Sequence, residues 1–163
     1  MTAPETQDRL GRGLALPAKL IAFLLAADAL VAWGSHAFPA SPDSALWRHI
    51  AVGTLGQSLG LFVLALLVAL AVGVLQENRR LIAAMGRIGL GTTVLLLLLL
   101  VPFLLDSRAL ATALPQAQRP RFGWLVAKGV VQYLLAALAL AAMGAAARRF
   151  LAADPAAEPA GKP

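Results

Sequence analysis

The chain has 163 residues, of which 60% are hydrophobic and 13% are charged, with a net charge of +6 and no cysteine. Soluble domains carry about 25% charged residues, and a chain this short could not keep so much apolar surface from water, so a soluble globular protein is excluded. The basic residues stand in twos and threes beside apolar spans and form no stripe, which indicates basic loops of a membrane protein and no nucleic-acid partner.

The N-terminal part contains a polar tail and the first apolar stretch. Residues 1–13 are polar, and we expect a mobile cytoplasmic tail there. The first apolar stretch covers residues 16–37 and carries Asp28 near its middle. The sequence Ser35-His36-Ala37 resembles a signal-peptidase site, so a cleaved signal peptide is an alternative that would leave three helices. Asp28 and the length of the run favour a retained helix.

Three more apolar stretches follow, at about residues 56–75, 88–105 and 123–147. A bilayer core about 30 Å thick is crossed by about 20 helical residues, and backbone groups in lipid must be satisfied within their own segment. We therefore predict an all-α polytopic membrane protein, a four-helix bundle over residues 14–150, with a disordered cytoplasmic tail at 151–163. The segment 41–49 before the second stretch suits either an interfacial helix, capped by Ser41 or Asp43, or a plain loop.

The distribution of positive charge predicts the orientation of the chain. Nine of the 14 Lys and Arg residues lie in the N-terminal flank up to Lys19, in the loop between the second and third helices, and from Arg148 to the C-terminal end, and the other five lie on the opposite side. This bias favours both termini in the cytoplasm. The abundance of Ala, Leu, Arg and Pro suggests a bacterial genome, so we expect a bacterial inner or internal membrane.

Asp28 is the most unusual residue, because a charged group at mid-membrane costs roughly 2.5–3.5 kcal/mol and normally has a partner. Counted from the same side of the membrane, Gln132 lies level with Asp28, and Lys128 lies roughly 6 Å higher. The sequence thus predicts an Asp28–Lys128 ion pair or an Asp28–Gln132 hydrogen bond that joins helices one and four. A structural role is the simpler interpretation, and a proton or ion relay is the alternative.

Small residues recur at four-residue spacing along the second helix. Such rows let helices approach closely in lipid, so we expect these residues to pack against other helices. They are Gly56, Gly60, Ala65, Ala69 and Gly73.

The sequence shows no arrangement typical of an enzyme or of a cofactor site. Phosphate-binding loops, the HExxH and GxSxG motifs and paired carboxylates are missing from it. His36, His49 and Asp43 lie in one loop, but their spacing does not specify a metal site. We therefore expect no enzymatic activity, no cofactor and no metal.

Over residues 20–149 the chain resembles the HpsJ-like membrane proteins. The resemblance rests on the arrangement of four helices and on two segments, PASPDSALWRHI and ENRRLIAAMGRIGLGTTVLLLLLLVPFLL. In that family a basic loop likewise leads into a Leu-rich helix that ends in Pro and apolar residues. The resemblance implies an accessory role in the production or export of bacterial hormogonium polysaccharide.

The function we expect is a non-enzymatic accessory or scaffold protein that packs in the bilayer against itself or other membrane proteins. The alternative is a small transporter or channel subunit that uses Asp28.

Overall fold

The computed structural model describes residues 3–153, with side chains from residue 13 onward, and this part of the chain contains four long helices and no strand. Helices α1 to α4 are Ala3–Ala37, Ala45–Leu75, Arg79–Ala113 and Arg119–Ala152, and a short 3-10 turn, Gln116–Gln118, precedes α4. All four are long and apolar enough to cross a membrane. The prediction of an all-helical chain with four membrane-spanning helices is confirmed at this level.

The helices extend beyond the apolar stretches that predicted them. Helix α1 begins at Ala3, so residues 3–13, expected to be a mobile tail, are helical. Helix α3 continues through Pro102 to Ala113, eight residues past its predicted end. The apolar stretch marks only the part of a helix that suits hydrocarbon, whereas the helix itself ends where the backbone is capped. The predicted tail from residue 154 onward lies outside the described residues.

Side-chain caps fix where α2 and α3 begin. The Ser44 hydroxyl accepts a hydrogen bond from the Trp47 backbone N–H at 3.3 Å, and the Asn78 side chain accepts one from Leu81 N–H at 3.1 Å. The expected cap at Ser41 or Asp43 was therefore wrong by one to three residues. Of the segment 41–49, expected to be an interfacial helix or a loop, residues 41–44 form the turn before α2 and residues 45–49 begin α2 itself.

The four helices do not contact one another equally. Helices α2, α3 and α4 all contact one another, whereas α1 contacts α2 alone, and no described Cα of α1 lies within 8 Å of a Cα of α3 or α4. The connections α1–α2 and α3–α4 lie at one end of the molecule, here called the two-loop end. The opposite end, here called the termini end, holds the turn between α2 and α3 and the end of α4.

Different side chains make the two packing surfaces of α2. Towards α3 and α4, large side chains form a core that includes Leu59, Leu66, Leu96, Tyr133 and Leu140. Towards α1, the contact uses small residues of α1 spaced seven apart, Ala15, Ala22 and Ala29, each buried. Seven residues are close to two helical turns, so these alanines form one stripe along α1. Helix α1 thus lies against α2 outside the three-helix core.

Candidate functional site: polar groups of the membrane-spanning helices

An ion pair joins α2 and α3 at the two-loop end. The Arg48 guanidinium donates through Nη2 to Asp106 Oδ1 at 2.7 Å and through Nε to Oδ2 at 3.0 Å. Asp106 is only 7% exposed, and Arg48 also donates to the Pro42 carbonyl at 2.7 Å. This two-point geometry is the strongest way for Arg to hold a carboxylate, and it ties the α1–α2 connection to the end of α3.

His49 lies beside this ion pair and contacts aromatic rings from two other helices. Its ring stacks on Phe103 with centroids 4.9 Å apart and is tilted against Phe122 at 5.4 Å. His49 Nδ1 lies 3.2 Å from the hydroxyl oxygen of the buried Ser107. The His49 side chain, which belongs to α2, therefore packs against both α3 and α4.

Indole hydrogen bonds fasten α1 to α2 at the same end. Trp33 Nε1 donates to the Ala51 carbonyl at 3.1 Å, and Trp47 Nε1 donates to the Ala37 carbonyl at 3.2 Å. The second bond satisfies one of the carbonyls that the end of α1 leaves without a helical partner. Trp side chains suit this level because they combine an apolar ring with a single donor, as at a membrane interface.

The polar groups of the two-loop end act on one another, which gives them a structural role. Both Asp106 oxygens accept hydrogen bonds from Arg48, and His49 is stacked between rings. Within residues 3–153, no group of three His, Cys, Asp or Glu side chains lies close enough to hold a metal ion. The sequence did not lead us to the Arg48–Asp106 pair, because we placed Arg48 and His49 in a segment outside the predicted second helix. The available signal was Asp106, an acidic residue directly after the apolar run of α3.

Asp28 lies on an uncovered face of α1. Its side chain is exposed and has no hydrogen-bond or ion-pair partner among the described residues. The predicted link to Lys128 or Gln132 within one chain is wrong, because α1 does not contact α4. Counting residues relates positions along the membrane normal, whereas the link also requires the two helices to be neighbours in the membrane plane.

Lys128 and Gln132 instead line a groove between α2 and α4. The groove has a volume of about 250 Å³ and also contains Thr54 and Gln57 of α2. Lys128 and Gln57 are exposed, Gln132 is half-buried, and neither Lys128 nor Gln132 has a partner within the described part of the chain. The molecule therefore presents polar side chains at membrane depth on two separate surfaces, one on α1 and one in this groove.

Of the small residues expected to pack on α2, most but not all lie in helix contacts. Gly56 is buried, and a Cβ there would lie 2.9 Å from the Tyr133 ring. Ala65 is buried and Ala69 half-buried, both beside α1, whereas a Cβ at Gly73 would lie 3.1 Å from Ile82. Gly60 is exposed, and a Cβ added there would have no atom within 4 Å, because Gly60 lies on the outward side of α2.

Helices α3 and α4 approach each other closely through glycines that we had not selected from the sequence. A Cβ at Gly89 would lie 2.8 Å from Met143 Cε and 3.1 Å from the Leu140 carbonyl oxygen, and a Cβ at Gly86 would lie 2.8 Å from Ala147 Cβ. Thr93 adds a hydroxyl that lies 2.9 Å from the Gly89 carbonyl oxygen and 3.3 Å from that of Ala137. The spacing Gly86-x-x-Gly89 was the available signal for this contact.

Comparison of the chain with protein-family models, with curated proteins and with solved structures finds no match.

Proposed function

We propose that the protein is a non-enzymatic accessory or scaffold protein of a bacterial inner or internal membrane, with both termini in the cytoplasm. It works by packing its helices against a partner in the bilayer. The resemblance to HpsJ-like proteins connects that partner with polysaccharide production or export.

The observation that carries this proposal is the uncovered face of α1 with Asp28 in its middle. An ionisable group in the hydrocarbon region is costly unless another polar group accepts or donates a hydrogen bond to it. The described residues supply no such group to Asp28. The neighbouring side chains on the same face of α1, Leu24 and Val31, are 63% and 69% exposed and are apolar, as suits a membrane. A partner that packs on α1 supplies the missing contact.

The charge at the termini end supports the proposed orientation. Arg79, Arg80 and Arg87 of α3 and Arg148 and Arg149 of α4 lie at that end, and Arg79 Nη2 also donates to the Leu151 carbonyl at 3.1 Å. Basic residues beside the ends of membrane helices are retained on the cytoplasmic side. A reporter domain fused after Pro163 tests this point, and activity of the reporter outside the cytoplasm would contradict it.

Ion flux into liposomes separates the scaffold from the alternative of a transporter or channel subunit. Purified protein is reconstituted with a proton-sensitive or ion-sensitive dye inside the liposomes, and the Asp28→Asn variant is the matched control. We expect the wild type and Asp28→Asn to show the same background flux as empty liposomes. A flux that requires the Asp28 carboxylate would overturn the scaffold proposal in favour of transport.

A further inference from the structure

Asp28 on α1 and the groove between α2 and α4 present complementary chemistry at membrane depth. Asp28 offers a carboxylate, whereas Lys128 and Gln132 offer an ammonium and an amide, and none of the three has a partner within residues 3–153. Polar side chains in a bilayer normally face protein or water. The chain therefore has two uncovered polar surfaces of opposite character, and each has the chemistry that would bind the other.

The two surfaces also lie at matching depth. Ala29, next to Asp28, lines a cavity together with Leu55 and Leu59 of α2, so Asp28 lies level with that part of α2. Gln57, from the same turns of α2, lines the groove together with Gln132. Asp28 and Gln132 therefore differ in depth by about one helical turn at most. Lys128 lies four residues nearer the two-loop end, about 6 Å away along the helix.

Helix geometry prevents the two surfaces from meeting within one chain but not between chains. Asp28 is one residue from Ala29, a member of the stripe that packs on α2, and successive residues are turned by about 100° around a helix. The Asp28 side chain thus projects from α1 beside the contact with α2 and not into it. Copies inserted with the same orientation keep every residue at its own depth, so the carboxylate of one copy meets the groove of another at the required level.

We propose that a second copy of this chain docks its α1 against the groove between α2 and α4, so that Asp28 of one copy pairs with Gln132 and Lys128 of the other. The inference rests on the proposed scaffold function and names the partner as the protein itself. An interhelical hydrogen bond holds such contacts in lipid, where apolar side chains gain little by leaving one hydrocarbon surface for another.

Crosslinking between two tagged copies tests this pairing, and the absence of cysteine from the sequence makes single-cysteine variants unambiguous. One copy carries Leu24→Cys, one helical turn from Asp28, and the other carries Leu135→Cys, about one turn from Gln132. A short thiol–thiol crosslinker is applied in the membrane, and products that contain both tags are counted. The matched control replaces Leu24→Cys by Phe23→Cys, a neighbouring exposed position that lines a cavity between α1, α2 and α3, on a different side of α1 from Asp28.

We expect crosslinked products that contain both tags when Leu24→Cys is combined with Leu135→Cys. The yield of these products should be several-fold lower when Phe23→Cys replaces Leu24→Cys. Addition of Asp28→Leu lowers the yield by about 3- to 30-fold, the factor that the loss of one interhelical hydrogen bond predicts, whereas Asp28→Asn retains it. Asp28→Lys abolishes the product, and Lys128→Asp in the other copy restores it. Helix content of each variant, measured by circular dichroism, confirms that the chain remains folded.

Equal yields from both faces of α1, the same low yield from both, or a yield that does not respond to Asp28→Leu would each overturn the pairing. These outcomes leave the scaffold proposal intact, because a different membrane protein would then cover α1. Conversely, a flux that depends on Asp28 would defeat the scaffold function whatever the crosslinking shows.

Discussion

The two ends of the helix packing are stabilised by different physical means. At the two-loop end, directional polar contacts join the helices, among them the Arg48–Asp106 pair and the indole hydrogen bonds of Trp33 and Trp47. Between the middle of α3 and the termini end, α3 and α4 instead approach closely through Gly86 and Gly89. Polar contacts suit the membrane interface, whereas close van der Waals packing suits hydrocarbon.

This difference implies different responses to mutation. Close packing leaves no space for added atoms, so enlarging a glycine forces the two helices apart. A polar contact at the interface retains partial access to water, so its loss is partly compensated. The expected loss of stability therefore decreases from the glycine contact, through the polar contacts, to the outward side of α2.

The largest effect is expected for Gly89→Leu. A Leu side chain there would collide with the Leu140 carbonyl oxygen, 3.1 Å from the position of its Cβ, and a backbone atom cannot move aside alone. We expect a loss of about 3 kcal/mol in the free energy of unfolding, measured by denaturation in mixed detergent micelles. Gly91→Leu is the matched control, because no atom lies within 4 Å of a Cβ at Gly91. Equal losses for the two variants would contradict the close α3–α4 contact.

A smaller effect is expected when the Arg48–Asp106 pair is broken. Asp106→Ala leaves the guanidinium without its carboxylate, so the melting temperature falls by several degrees, and Arg48→Ala produces a similar fall. Because each variant removes the same interaction, the double variant should lose much less than the sum of the two. Arg108→Ala, an exposed position two residues along α3, should have little effect. Additive losses in the double variant would show that the pair does not stabilise the fold.

Tyr133→Phe tests a single hydrogen bond between α4 and α2. The Tyr133 hydroxyl donates to the Val52 carbonyl at 2.7 Å, and the ring is only 1% exposed, so the phenyl ring of the variant fills the same space. We expect a loss of about 1 kcal/mol in the free energy of unfolding. Thr93→Val should lose less, because the shorter bond of the Thr93 hydroxyl is to its own helix. The reverse order would contradict this assignment.

The smallest effect is expected for Gly60→Ala. Nothing lies within 4 Å of a Cβ at that position, so the change in the free energy of unfolding should stay within about 0.5 kcal/mol. Gly56→Ala is the comparison, since its Cβ would press on the Tyr133 ring at 2.9 Å and should destabilise the protein. A substantial loss for Gly60→Ala would show that this glycine faces another helix after all.

The sequence predicted the number and nature of the helices because hydropathy reports directly on the solvent that each segment needs. It could not predict which helices are neighbours, since Asp28 and Gln132 share a depth whether or not α1 contacts α4. The four-residue spacing also predicted that Gly60 packs against a helix as Gly56 does. A four-residue repeat drifts around the helix by about 40° per step, so its members do not all face the same neighbour. The Arg48–Asp106 pair was missed because its residues are 58 positions apart and lie in different helices.

The central claim is that all four helices lie in the hydrocarbon of a membrane, and extraction tests it most directly. Membranes that contain the protein are washed with alkaline carbonate, which removes peripheral proteins, and then treated with a mild detergent. We expect the protein to stay with the membranes through the wash, to enter solution only with detergent, and to remain helical there. Release by carbonate alone, as a folded and dispersed protein in plain buffer, would contradict the claim.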